Sequence, residues 1–131
     1  MNSLASLSND FDYAAAREFL NTREVFRGIE RKKIFDEATA NCREIVLMIS
    51  QIYNPQRIYQ WGSLLHEEQF DENSDIDIAV EGLCSAEQFF EMFGLAEKLT
   101  RFTLDLVELE KVHPLHVESI KKNGKLVYEH R

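Results

Sequence analysis

The sequence predicts an α+β domain, close to α/β in character, in which a mixed sheet of about four strands packs against helices behind an N-terminal helical extension. Three observations predict it. The elements follow one another as helix, strand, strand, helix, strand, helix, strand. The segments around Ile76–Val80 and Phe102–Leu109 alternate apolar side chains with aspartates, the period of a half-buried strand. A chain of 131 residues, 44% hydrophobic and 11% aromatic, is long enough to bury one core of ordinary size.

The elements can be justified in order. Met1 to Asp10 is polar and reads as a frayed start. Asp12 or Asn9 suits the cap of a helix through Ala14, Ala15 and Ala16 to about Leu20. A second helix begins near Thr22, with Asn21 as a cap, and Gly28 weakens or kinks it. Residues 1–33 form the extension, which packs on the domain or on a partner. Residues 34–131 form the domain.

The domain opens with the clearest helix, Ile34 to Tyr53. Ile34, Ala38, Cys42, Ile45, Ile49 and Ile52 recur at three- and four-residue steps and give one apolar face. Asn54-Pro55 ends it. Arg57 to Trp61 is a β-branched and aromatic run that suits a strand. After an acidic loop, a second strand runs to about Glu81-Gly82. Ser85 is an N-cap with Gln88 three residues on, and the helix from Ala86 carries Phe89, Phe90, Phe93, Leu95 and Leu99 as core, with Gly94 as a flaw. The strand Phe102–Leu109 follows. Pro114 begins a short helix to about Lys122, Asn123-Gly124 turns the chain, and Lys125–Glu129 closes as a strand.

The chemistry concentrates between Trp61 and Val80. Asp75 and Asp77 are one residue apart, so on a strand they point the same way while Ile76 and Ile78 point into the core. Two carboxylates on one side of a rigid element make a hard, oxygen-rich site of the kind Mg²⁺ shares with phosphates. A D-x-D alone is more often solvated edge-strand aspartates, and a Gly-Ser alone an ordinary turn. Their combination is rarer: a strand, Gly62-Ser63, eleven residues from Leu64 to Ser74, then D-x-D on an apolar strand. Glycine lets a phosphate approach the backbone, and serine offers a hydroxyl and an N–H. Asp105 interrupts the most apolar part of its strand. A lone buried aspartate is costly unless paired or metal-bound, and alternation alone also allows it to share an exposed face with Thr103. His113 and His116 lie three apart with no third ligand in sight and read as surface or partly packed histidines.

Gly62-Ser63, Asp75-Ile76-Asp77-Ile78, Leu104-Asp105-Leu106-Val107 and the closing Ile120–Glu129 together resemble the minimal nucleotidyltransferases of the polymerase-β-type superfamily, over about Ile34 to Glu129. The resemblance implies a nucleotidyltransferase fold and a Mg²⁺-dependent transfer of a nucleoside monophosphate, AMP from ATP, to a hydroxyl. It assigns Asp75, Asp77 and Asp105 to catalysis and metal, and Gly62 and Ser63 to the phosphates. It implies a HEPN-type toxin as partner, modified on a tyrosine, with this chain as antitoxin; a catalytically weak module that neutralises a partner by contact is the alternative. The sequence departs from the family where an Ala-Arg-Gly run often follows Gly-Ser: Leu65, His66 and Glu67 stand there, followed by Glu68, Asp71 and Glu72.

The bulk properties bound the rest. A formal net charge of −8 opposes non-specific nucleic-acid binding and attachment to anionic membranes. The two cysteines, Cys42 and Cys84, have no metal spacing and read as reduced core thiols of a cytoplasmic protein. No apolar run is long enough for a membrane span and no signal segment is evident, so neither insertion nor secretion is expected.

Overall fold

A computed structural model describes residues 12–83 and 85–131. The elements are α1 (Tyr13–Ile52), β1 (Arg57–Trp61), β2 (Ile76–Glu81), α2 (Ala86–Glu97), β3 (Leu104–Glu108), α3 (Pro114–Asn123) and β4 (Lys125–Glu129), with single 3₁₀ turns at Ser63–Leu65, Glu67–Gln69 and Leu109–Lys111. The contacts divide the chain into a unit ending at Glu30 and a unit from Arg31 to Arg131.

The three helices expected between Asp12 and Tyr53 are one, Tyr13–Ile52. Asp12 caps it, accepting from the N–H of Ala15 at 2.9 Å; the alternative cap, Asn9, lies outside the described residues. The expected new start at Thr22, capped by Asn21, does not occur: the helix continues, and the Thr22 hydroxyl donates to the Glu18 carbonyl one turn back. Gly28 does not break the helix either. It costs only about 1 kcal/mol relative to alanine, less than a helix of this length needs to be interrupted.

Within the second unit the sheet has the order β3-β2-β1-β4. β1 is antiparallel to β2 and β4, whereas β2 and β3 are parallel, so the sheet is mixed as expected. Alternation sorts the strand residues between two cores. Ile58, Ile76, Ile78, Val80, Leu104 and Leu106 face Ala38, Cys42, Ile45 and Ile49 of α1 and Met92 and Ala96 of α2. On the opposite face, Tyr59 and Ala79 pack with Leu109 and with Ile120 of α3, joined by Trp61, Val107 and Val117. Asp77 and Asp105 have the parity of this second face.

One detail of the core differs from expectation. Ser85 caps α2 as predicted, accepting from Gln88 N–H at 3.2 Å, but Phe90 is 73% exposed. The buried stripe runs through Met92 and Ala96, with Phe89, Phe93 and Leu99 beside it. Phe90 falls off that three- and four-residue spacing. Cys42 is buried and unbridged, and burial pushes its thiol up to about 11. In the native protein Cys42 is therefore expected to resist maleimide at pH 8 and to react once the chain is unfolded, which a mass shift would read. The side chain of Cys84 lies outside the described residues.

The acidic segment between β1 and β2 is pinned by Phe70. This ring is 1% exposed and meets Phe35 and Phe102 edge-on, with centroids 6.4 and 5.7 Å away. Glu67, Glu68, Asp71 and Glu72 stay exposed around that anchor. Asp71 turns the chain, accepting from Asn73 N–H at 2.8 Å. Phe70→Ala should cost about 3–5 kcal/mol in urea unfolding, the range for an emptied aromatic core site. No described helix is long and apolar enough to cross a membrane.

Candidate active site

The register of the strands brings the three aspartates to one end of the sheet. Trp61, the last residue of β1, lies opposite Asp77, and Asp77 lies beside Asp105 on parallel β3. Asp75 is placed slightly differently from expectation. The strand begins at Ile76, whose N–H donates to Thr103 O at 2.9 Å, so Asp75 sits one residue before it, half-buried. The turn closed by Ser74 N–H on Asp71 O delays the strand to that point. Thr103 is exposed and Asp105 half-buried, which settles the choice alternation left open: Asp105 turns with Val107 toward the second core.

Asp77 is the buried member, 8% exposed. Its carboxyl is pushed up to about 7, first by burial, then by the charges of Asp105 and Asp75 and by a hydrogen bond with Asp105. Every contribution acts upward. The carboxyl of Asp77 is thus biased toward its protonated form, and a bound cation would favour the carboxylate instead.

Gly62 is shaped to that carboxylate. It has φ +81° and ψ −159°, a region open essentially to glycine alone. A Cβ there would lie against the Asp77 carboxylate, within 2.9 Å of Cγ. The Gly-Ser turn and the D-x-D strand, fourteen positions apart from Ser63 to Asp77, are therefore in direct contact.

A cleft of about 310 Å³ opens beside this turn. Its floor includes Trp61, Gly62, Ser63 and His66, and its far wall is α3, through His116, Ser119 and Asn123. His116 meets the Trp61 ring edge-on at 5.1 Å. The indole N–H of Trp61 is buried without a partner among the described residues. His113 caps α3, accepting from Leu115 N–H at 3.1 Å, so the two histidines serve different purposes and form no ligand pair. The contribution of α3 was not anticipated. Its residues 116, 119 and 123 do share one polar stripe at helical spacing, the one signal available beforehand.

The donor set suits a divalent cation, but not as a closed cage. Among the described residues no group of three or more His, Cys, Asp or Glu side chains stands ready to surround an ion. What stands ready is the Asp77–Asp105 pair, with Asp75 close enough to act on its charge. Mg²⁺ is commonly held this way, by one or two carboxylates completed by phosphate oxygens and water.

Comparisons with known proteins place the fold. Three solved structures match: the toxin–antitoxin MntA-HepT, at 23% identity and TM-score 0.53 over 70% of this chain and 72% of that one; a mutant MntA-HpeT complex, at 22% and 0.55 over 69% and 74%; and a toxin–antitoxin with AMP-PNP, at 23% and 0.55 over 67% and 73%. At such identities they establish the fold. No curated protein matches the chain. The family profile described as Polymerase beta, Nucleotidyltransferase matches residues 43–131, a stretch holding Gly62, Ser63 and all three aspartates, and the chain belongs to that nucleotidyltransferase family.

Proposed function

We propose that the chain is a divalent-metal-dependent nucleotidyltransferase that moves AMP from ATP to a hydroxyl, that of a tyrosine on a helical HEPN-type toxin, and thereby acts as a cytoplasmic antitoxin. The observation that carries the reading is the buried Asp77 carboxylate, paired with Asp105 and fitted against Gly62. Asp77, Asp105 and Asp75 would hold Mg²⁺, which when bound draws negative charge off the phosphates and the leaving pyrophosphate. Gly62 and Ser63 border the cleft and would take the β- and γ-phosphates. The acceptor oxygen attacks the α-phosphorus, the bond to the β-phosphate breaks, and pyrophosphate leaves. Asp105, the less buried of the pair, would orient the acceptor hydroxyl and take its proton.

The toxin partner is supported by the likeness to structures described as toxin–antitoxin complexes, one of them with AMP-PNP. The mutant complex carries two Asp-to-Glu exchanges two positions apart, the spacing of Asp75 and Asp77. The cleft beside Gly62 is small, which suits an acceptor brought by another protein. The test is intact-mass analysis of a HEPN-type protein after incubation with ATP, Mg²⁺ and this chain. Addition of one or more AMP groups by the wild type, absent with Asp105→Asn, supports the reading; an unmodified target in both contradicts it.

A second reading is contact-only neutralisation by a weak or inactive relative. The exposed acids at Glu67, Glu68, Asp71 and Glu72, and the absence of a three-carboxylate cage among the described residues, favour it. Protection from the toxin that survives Asp77→Asn would support this reading over the first.

A further inference from the structure

The first unit carries a surface that the transferase reading does not use. Between Tyr13 and Glu30 the helix leaves Phe19, Val25 and Phe26 each 63% exposed, Leu20 57% and Ile29 50%. Most helical stability in proteins comes from packing an apolar face, and so many large exposed apolar groups on one segment mark an interaction surface. Phe19 and Phe26 are seven residues apart, as are Ala15, Thr22 and Ile29, so they form one seam of alternating three- and four-residue steps. The seam ends there, because its next two positions are Lys33 and Asp36.

We infer that this segment pairs with the same segment of a second copy, in antiparallel orientation. Shape and charge both point to a copy. Thr22 is small and sits between the two phenylalanines, leaving a hollow of about 330 Å³ lined by Phe19, Thr22, Arg23, Phe26 and Arg27. In an antiparallel pair Phe26 of each copy enters the hollow over Thr22 of the other, and Phe19 meets Ile29 of the other. The match is reciprocal, as a two-fold interface requires. The charges permit it as well. The chain as a whole carries −8, so most of its surface repels a copy, but residues 13–30 hold Arg17, Arg23 and Arg27 against Glu18, Glu24 and Glu30 and are neutral. Arg23 lies over the Phe19 ring at 5.9 Å, and Arg27 is bonded to Glu24 at 3.3 Å, so both guanidinium groups are already engaged at the rim.

Sedimentation velocity of the full chain tests the pairing. The wild type should be dimeric at concentrations on the order of 100 µM and dissociate on dilution, as expected of a small apolar interface. Phe26→Glu should weaken association by about tenfold or more, with the melting midpoint of residues 31–131 unchanged to show that the domain still folds. A Val25→Cys chain, whose new thiol lies beside its counterpart across the two-fold axis, should form an intermolecular disulfide on mild oxidation that the wild type does not. A wild type that stays monomeric, or a dimer indifferent to Phe26→Glu, overturns the proposal. So does cross-linking through Thr22→Cys in place of Val25→Cys, which would mean a parallel pair. A monomeric wild type would assign the seam to a different protein.

Discussion

Asp77→Asn should abolish nucleotidyl transfer and at the same time make the metal-free protein harder to unfold. Both effects follow from one placement. Asp77 is buried beside Asp105, and its carboxyl is raised from 3.8 to about 7. In the unfolded chain it ionises in water near its ordinary value. Between those two values the folded state binds the extra proton, so stability falls as pH rises through that interval and levels off above about 7. Asparagine has the same shape, carries no charge and can donate to Asp105. The variant should therefore gain little at pH 4, more as pH rises, and most at pH 8. The gain should be on the order of 2 kcal/mol there, since each unit of displacement is worth about 1.4 kcal/mol and asparagine still buries a polar group at that position. Urea unfolding in EDTA from pH 4 to pH 8 reads it. Activity moves the other way. Loss of a charged metal ligand should lower transfer by about 10³-fold or more. A site that costs stability when empty is one kept for a ligand that repays it.

Gly62→Ala is expected to damage fold and site together. The backbone at φ +81° and ψ −159° is close to closed for any other residue, at a cost of about 1–3 kcal/mol. The added methyl also meets the Asp77 carboxylate and must move it. The combined loss should be about 2–4 kcal/mol in urea unfolding, and transfer should fall well beyond what the remaining folded fraction explains. Gly28→Ala is the control. No neighbouring atom lies within 4 Å of a Cβ there, so the substitution should stabilise by roughly 0.5–1 kcal/mol through helix propensity alone. If Gly62→Ala behaves like Gly28→Ala, Gly62 and Asp77 are not in contact.

How much of this was legible in the sequence depended on the range of the interaction. β1 and β4 fall at their expected bounds because Pro55 and Asn123-Gly124 mark their edges locally. The Ser85 cap and the buried face of Ala38, Cys42, Ile45 and Ile49 were equally local. The candidate residues Gly62, Ser63, Asp75, Asp77 and Asp105 were identified from their motifs, but the motifs do not say which aspartate is buried. That depends on parallel pairing of Asp77 with Asp105 across a helix, a long-range register that no turn specifies. Asn21-Thr22 misled because a polar pair that opens a helix and one whose threonine bonds back to the preceding turn look the same in sequence. Trp61 and the polar stripe of α3 were overlooked for a similar reason. They acquire meaning only when α3 folds back over the end of β1.

The central claim is that Asp77, Asp105, Gly62 and Ser63 form one metal-dependent nucleotide site. Calorimetric titration of ATP into the full chain, with and without Mg²⁺, tests it most directly. The wild type should bind ATP only when Mg²⁺ is present, and Asp77→Asn, although better folded, should not bind it in either condition. ATP binding that is the same with and without Mg²⁺, or the same in Asp77→Asn as in the wild type, would contradict the account.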